Sequence, residues 1–371
     1  MKTARAWKLG GIRDFQMMAG YRQQRPHLKR PIWIIAFVTF FIIFLTGVYV
    51  YPSGSGSLAS CYFFSGRGCT MLEQLPATPT RELTDAENIA QVVFKEILNK
   101  PPVHSKNPKV AFMFLTPGNL PFENLWEKFF HGHEDRFSVY VHASSEKPMH
   151  VSRYFVGRDI RSEKVAWGRI SMLDAEKRLL AHALLDPDNQ QFVLLSDSFE
   201  DPGPHGNGRY SEHMLPEVEK KDFRKGSQWF TLKRQHAMII MADSLYYTKF
   251  KHYCKPNMEG RNCYADEHYL PTLFHMIDPA GIANWSVTHA DWSEGKWHPK
   301  AYRAQDISSE FLKSLAAIDE TFHITSDEQK KVTIMPCMWN GMKRPCYLFA
   351  RKFNPEALDK LVFLFVNYTT V

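Results

Sequence analysis

Apolar residues follow two patterns along this chain: one unbroken run near the start, and short periodic runs beyond residue 80. The unbroken run, residues 32–51 (IWIIAFVTFFIIFLTGVYVY), carries no charge over twenty positions. At 1.5 Å rise per residue a helix of that length spans about 30 Å, the hydrocarbon thickness of a bilayer. Further on, DAENIAQVVFKEILN (Asp85–Asn99) has helical spacing, and Thr84 with Glu87 three residues later predicts a capping box. KVAFMFLT (Lys109–Thr116), FSVYVH (residues 137–142) and QFVLLS (residues 191–196) read as buried strands. Between the last two, a helix opening at Ser171 carries Leu173, Leu179, Leu180, Ala183 and Leu184 mostly on one face. Asp174 stands three residues after Ser171, which predicts a second capping box. Alternating strands and helices predict an α/β fold on a mostly parallel central sheet. Ligands on such sheets bind beyond the carboxyl ends of the strands, here residues 141–144 and 195–198.

Charge changes the reading of the first run. Lys2, Arg5, Lys8, Arg13, Arg22, Arg25, Lys29 and Arg30 precede it against Asp14 alone, and no basic residue follows until Arg67. The asymmetry predicts residues 1–31 as a cytosolic tail, 32–51 as a transmembrane signal anchor in the lipid bilayer, and the remainder as lumenal. The run is longer than the roughly 7–15 apolar residues of a cleaved signal peptide. The tail's excess equals the whole formal net charge of +7, so the rest is neutral. The basic balance therefore reports topology, and no nucleic-acid partner is expected. Residues 52–107, rich in Ser, Gly, Pro and Thr, read as a stem, and 108–371 as the folded domain.

All six cysteines, Cys61, Cys69, Cys254, Cys263, Cys337 and Cys346, fall on the lumenal side in three local pairs. Local disulfides are the simplest reading, although spacing alone leaves other connectivities open. No pair has the Cys-x2–4-Cys spacing of a zinc site. Sequons at Asn284 and Asn367 are compatible with a lumenal location.

Candidate chemistry lies in four places. CYADEHY (residues 263–269) sets Asp266 and Glu267 side by side at the start of an apolar helix. Acids there complement the helix dipole; alternatively one of them is a general base acting on a hydroxyl. DPGPHGNGRY (residues 201–210) is a surface loop or a ligand clamp. Nine Trp residues suggest sugar-stacking faces, with Trp229 in KGSQWF and Trp292 in DWSEG as candidates, though either also suits a core. KRPCYLFARKF (residues 343–353) is a charge-guarded edge strand or an anion site. Asp186-Pro187-Asp188 has the letters of a metal-binding Asp-x-Asp but precedes its strand. At the right end stands Asp197 alone, a candidate sugar contact but a poor divalent-cation site. No metal is expected.

DPGPHGNGRY, RKGSQWF, CYADEHYLPT, DWSEG and LFARKF together resemble the plant branch of the Core-2/I-branching β-1,6-N-acetylglucosaminyltransferase family, the brittle-culm type of glycosyltransferase family 14. The resemblance runs from about Lys109 to Lys360. It implies a type II Golgi membrane enzyme with a GT-A-like fold. It also implies transfer from a UDP-sugar, N-acetylglucosamine being the family's named donor, to a glycoprotein or cell-wall polysaccharide, with inversion and without metal or other cofactor. On matching positions Glu267 is the catalytic base, Arg344 and Lys352 hold the donor diphosphate, and Arg209 and Trp292 contact the acceptor. Asp266 becomes structural support.

One departure stands out. In the family the LLSDS strand continues into a Cys-(Ile/Val)-Pro-Leu motif, a Tyr-rich helix and a short strand before DPGPHG; here Ser198 runs directly into Phe199-Glu200-Asp201. Loss of that internal segment predicts impaired folding or activity, because neighbouring apolar surface loses its cover. The alternative from another class is a membrane-tethered, non-catalytic carbohydrate-binding protein. A glycosidase would need two separated carboxyl groups flanking the bond, which adjacent Asp266 and Glu267 do not supply.

Overall fold

Eight helices and ten strands are formed by the residues that the computed structural model describes: 81–101, 105–194, 206–283, 287–294, 298–319, 321–324, 331–334, 337–339 and 342–365. The expected cytosolic tail and anchor, most of the stem, Cys61, Cys69, Asp197, the join after Ser198, Asn284 and Asn367 lie outside them. Among the described residues no helix is long and apolar enough to cross a membrane.

The central sheet has the order β2-β1-β3-β4, with β1 Lys109–Thr116, β2 Phe137–Ala143, β3 Asn189–Leu194 and β4 Phe230–Lys233. β1 pairs in parallel with both β2 and β3, and β4 adds an antiparallel edge. This is the mixed, mostly parallel sheet expected, and it fits a GT-A-like fold. Side chains alternate across a strand, so β1 serves two cores. Ala111 and Met113 face the larger core, with Phe192 and Leu194 of β3. Phe112 and Phe114 face the other, with Val139, Val141, Val193, Phe130 and Phe155.

The larger core is closed by helices α1 (Asp85–Asn99), α3 (Ile170–Leu184), α4 (Arg234–Ala242), α5 (Leu245–Tyr253) and α6 (Ala265–Ile277), while α2 (Glu123–Phe130) supplies Phe130 to the second core. The capping box on α1 forms as its sequence predicts: Thr84 Oγ1 accepts the Glu87 N–H at 3.3 Å, and Glu87 accepts the Thr84 N–H at 2.8 Å. Phe94 buries α1 against the larger core, so this helix of the expected stem is part of the fold. The capping box expected at Ser171 and Asp174 does not form. The helix begins one residue earlier with no side-chain cap, Ser171 Oγ instead accepts the Ala166 N–H, and Asp174 accepts the Tyr247 hydroxyl. Tertiary partners outcompete a local cap because Tyr247 on α5 approaches α3 from across the core. The far end of α3 is capped from outside: Arg234 donates to the Leu184, Asp186 and Asn189 carbonyls.

Toward the C-terminus the strands shorten. β5 (Thr288–Ala290) pairs in parallel with β10 (Phe349–Arg351), and β6 (Thr321–Ile324) with β7 (Lys331–Ile334) and β8 (Met338–Trp339) with β9 (Met342–Lys343) form two hairpins. α7 (Ser309–Ala316) and α8 (Leu358–Phe365) flank a small core of Tyr302, Ile307, Ala357, Leu361 and Leu364. Two of the three local cysteine pairs are disulfides, Cys254–Cys263 and Cys337–Cys346.

One buried ion cluster fastens the loop after β2. His150 is held between Glu123 (Nδ1 to Oε1, 2.5 Å) and Asp159 (Nε2 to Oδ1, 3.1 Å), while Glu123 also accepts the Val151 and Ser152 N–H groups. Burial by itself lowers the imidazole pKa, but the two carboxylate hydrogen bonds outweigh it and raise the value. A raised folded value means that the cluster's stabilisation is complete below the unfolded histidine pKa of about 6.5 and is lost as pH rises through the folded value. His150→Gln should cost about 2–4 kcal/mol at pH 6 and clearly less at pH 9, read from urea unfolding at both pH values. An equal cost at the two pH values would show that the imidazole charge is not what fastens the loop.

Candidate active site

Glu267 stands in the first turn of α6, and its place there follows from a proline four residues later. Pro271 lies inside α6 and has no N–H, so the Glu267 carbonyl loses its intrahelical donor. Gly226 fills that position, donating its N–H to the Glu267 carbonyl at 2.7 Å. The strand-like segment before β4 is thereby laid along α6. Arg224 strengthens the contact: its carbonyl accepts from His268 Nδ1 at 2.9 Å and its N–H donates to Thr272 Oγ1 at 3.0 Å. On the other side the Cys254–Cys263 disulfide ties the end of α5 to the entry of α6. Closing so short a loop stabilises it by roughly 3 kcal/mol through the unfolded chain's entropy.

This backbone contact carries Lys225 to Glu267. Lys225 Nζ lies 3.3 Å and Arg209 Nη1 3.6 Å from the same oxygen, Glu267 Oε2. Among the described residues no hydrogen bond is made to Oε1, and the side chain keeps 28% exposure, enough for a hydroxyl to approach. Arg209 Nη1 is buried without a hydrogen-bond partner among the described residues, since 3.6 Å is too long for one. The Arg209 guanidinium also packs over the Tyr264 ring, 5.5 Å from its centroid. The site therefore offers an exposed carboxylate oxygen, two cations and an unsatisfied donor.

Beneath it lies an acidic layer. Asp266 is buried, and Oδ1 has no partner among the described residues. Burial first, then the neighbouring Glu267 charge, pushes Asp266 up to about 7. Glu176 on α3 is also buried, with both carboxyl oxygens unpartnered there; burial first and Asp266 second raise it well above the usual carboxylate range. Burial of the two acids close together favours the protonated form of each, although Gln228 offsets part of the rise at Glu176. His268 is fully buried, and desolvation drives its pKa well below the ordinary value, so it is neutral with its proton on Nδ1 toward Arg224. Of the adjacent acid pair, only Glu267 is thus placed to act as a carboxylate at the surface.

The other sequence-predicted residues divide. Lys352 follows β10, half-buried, where burial first and Arg351 second lower its pKa. The register Arg351 to Ala290 puts Lys352 beside the turn that carries Trp292, at the carboxyl ends of a parallel pair. That turn is fixed by Asp291, which accepts from Tyr302 Oη at 3.0 Å and from the Ser293 N–H at 2.9 Å. Trp292 is 53% exposed. Trp229 is half-buried against the larger core, with the Arg351 guanidinium 5.5 Å over its ring. Residues 225–229 thus touch Glu267 at one end and the Arg351–Lys352 edge at the other. Arg344 is exposed beyond the β8–β9 hairpin, and no described contact joins it to Lys352 or Glu267. Asp186 and Asp188 lie at the amino end of β3 facing Lys109, at 3.1 and 3.8 Å. Two surface hollows open elsewhere, one bounded by Glu134, Tyr154 and Arg158 and one by Phe112, Phe129 and Phe365. Sequence reasoning quoted RKGSQWF but did not single out Lys225; the usable signal was Pro271, which leaves a carbonyl in need of a donor.

A family model described as Core-2/I-Branching enzyme matches residues 110–198 and 196–316. The two stretches overlap at residues 196–198. A protein of Oryza sativa subsp. japonica, "Glycosyltransferase BC10", is 33% identical over 318 residues that take in 70% of this chain and 77% of the relative.

The acidic layer has a measurable signature. Asp266 stays protonated in the folded protein up to about pH 7, whereas the unfolded chain releases that proton near pH 4. The folded state therefore binds the extra proton, and stability falls as pH rises from 4 to 7. Asp266→Asn removes the effect. Its stability relative to wild type should rise across that window by up to about 4 kcal/mol and then level off. Urea midpoints between pH 4.5 and 8 read this directly, and a difference independent of pH would contradict a protonated Asp266.

Proposed function

We propose, since this chain belongs to the Core-2/I-branching enzyme family, that it is a glycosyltransferase in which Glu267 deprotonates an acceptor hydroxyl for attack on a UDP-sugar. The observation that carries the reading is Glu267 itself: a partly exposed carboxylate in a helix's first turn, with Lys225 and Arg209 on one oxygen and the other open. A general base must accept the hydroxyl proton on an accessible oxygen, and Glu267 Oε1 is the oxygen left open. The hydroxyl proton passes to Glu267, the acceptor oxygen bonds to the anomeric carbon, and the bond to UDP breaks on the opposite face. In-line displacement inverts the anomeric centre.

Charge on the departing diphosphate needs cations. Lys352 fits this role: it is half-buried beside Arg351, and burial first and that neighbouring cation second lower its pKa, so an arriving anion would relieve both. Arg351 is the second cation at that edge. Arg344 retains its role only if the loop that carries it moves inward. Trp292 and Arg209 suit the acceptor. N-acetylglucosamine as donor, independence from metal, and placement as a type II Golgi protein through residues 32–51 belong to the same proposal. They rest on the resemblance and on the charge asymmetry of the first fifty residues.

Incubation of the purified protein with a UDP-sugar panel and plant glycan acceptors tests this. Glu267→Gln should lower transfer by about 10²–10⁴-fold while leaving glycan binding intact. EDTA should leave the wild-type rate unchanged. Transfer that survives Glu267→Gln, or that EDTA abolishes, would remove the base or the metal-free step respectively.

A further inference from the structure

Trp167, in the turn ahead of α3, is 70% exposed, among the most exposed large apolar side chains of the described residues. Ordinary packing does not account for it, because a ring free to turn inward would bury apolar surface.

It is held outward. The segment before it is pinned to the end of β2: Ser162 Oγ accepts the Ala143 N–H at 3.0 Å and His142 Nε2 accepts the Glu163 N–H at 3.2 Å. A turn around it is closed on the start of α3, where Ser171 Oγ accepts the Ala166 N–H at 3.0 Å, and the Ala166 carbonyl accepts the Arg169 N–H at 3.1 Å. Gly168 turns the chain at φ +68°, and a Cβ there would stand 2.8 Å from the Tyr264 ring. No other residue permits both the left-handed turn and the close approach. Trp167 in turn packs on Tyr264, with ring centroids 5.1 Å apart.

Tyr264 connects this ring to the site. Its other neighbour is the Arg209 guanidinium, 5.5 Å from the ring centroid, and Arg209 Nη1 is 3.6 Å from Glu267. Trp167, Tyr264, Arg209 and Glu267 thus form one chain of contacts that ends at the Glu267 carboxylate.

We propose that Trp167 is an acceptor-binding platform, stacking on the apolar face of a neutral pyranose next to the one whose hydroxyl reacts at Glu267. This rests on the reading of Glu267 as the base. The acceptor side is favoured because the contact chain leads to Glu267 and Arg209, while Lys352 and Arg351 lie at another edge. A ring fixed before binding loses little freedom on stacking, which suits it to selecting a sugar by shape.

Affinity measurements test the idea without needing turnover. Purified wild type, Trp167→Ala, Trp167→Phe and Gly168→Ala would be titrated calorimetrically with galacto-, xylo- and chito-oligosaccharides. Trp167→Ala should weaken binding of at least one series by about fivefold or more, Trp167→Phe by about twofold or less, and Gly168→Ala should resemble Trp167→Ala. Since Trp167 is exposed, its variants should keep the wild-type melting temperature. Wild-type affinity in Trp167→Ala, or no binding of any series to wild type, overturns the platform. The Glu267→Gln variant serves as the separate control. If it transfers sugar like wild type, the assignment of the base fails, while the titrations still decide whether Trp167 holds a glycan.

Discussion

A proline inside a helix leaves a carbonyl without its donor, and in this protein Gly226 supplies the missing N–H to Glu267. A buried or half-buried carbonyl without a partner is costly, so the segment ahead of β4 cannot leave α6 without forfeiting that bond. Everything proposed about the site depends on this. The contact brings Lys225 to the Glu267 carboxylate, sets Trp229 under Arg351, and aligns Arg224 with His268 and Thr272. Two stretches of chain some forty residues apart become one rigid edge.

Electrostatics then separates two neighbouring acids. Asp266 and Glu267 are adjacent in sequence and in one helical turn, yet Asp266 points to buried Glu176 and Glu267 to two cations. Burial raises the pKa of Asp266 in the first environment, and in the second Glu267 stays partly exposed beside two cations. That division of two carboxyl groups is what a base with a passive neighbour requires. It also explains why a two-carboxylate hydrolytic scheme has no geometry here: only one of the pair reaches the surface.

Much of the frame is legible in the sequence. Lys109–Thr116 is a strand buried on both faces because its six consecutive apolar residues, Val110 to Leu115, leave no polar side to expose, and the Thr84–Glu87 box closes α1 because both partners are local. The pairs Cys254–Cys263 and Cys337–Cys346 form because each is separated by nine residues and needs no long-range fold to meet. Ser171 and Asp174 mislead for the converse reason. Their local cap competes with partners on a distant helix, and those partners win. Lys225, Arg351 and Trp167 were silent, because nothing in their own neighbourhoods distinguishes a site residue from a solvated one.

By itself the sequence determined the α/β alternation, two local disulfides and the charge asymmetry around residues 32–51, all of which rest on short-range patterns, while Glu267 entered as the proposed base through the resemblance of its motif. Tertiary structure decided which carboxylate faces cations, which tryptophan is held in solvent and which basic residues share an edge with Lys352. Those outcomes depend on burial and on contacts across the chain, where the energy of a charge or an aromatic ring is set by neighbours that no local pattern specifies.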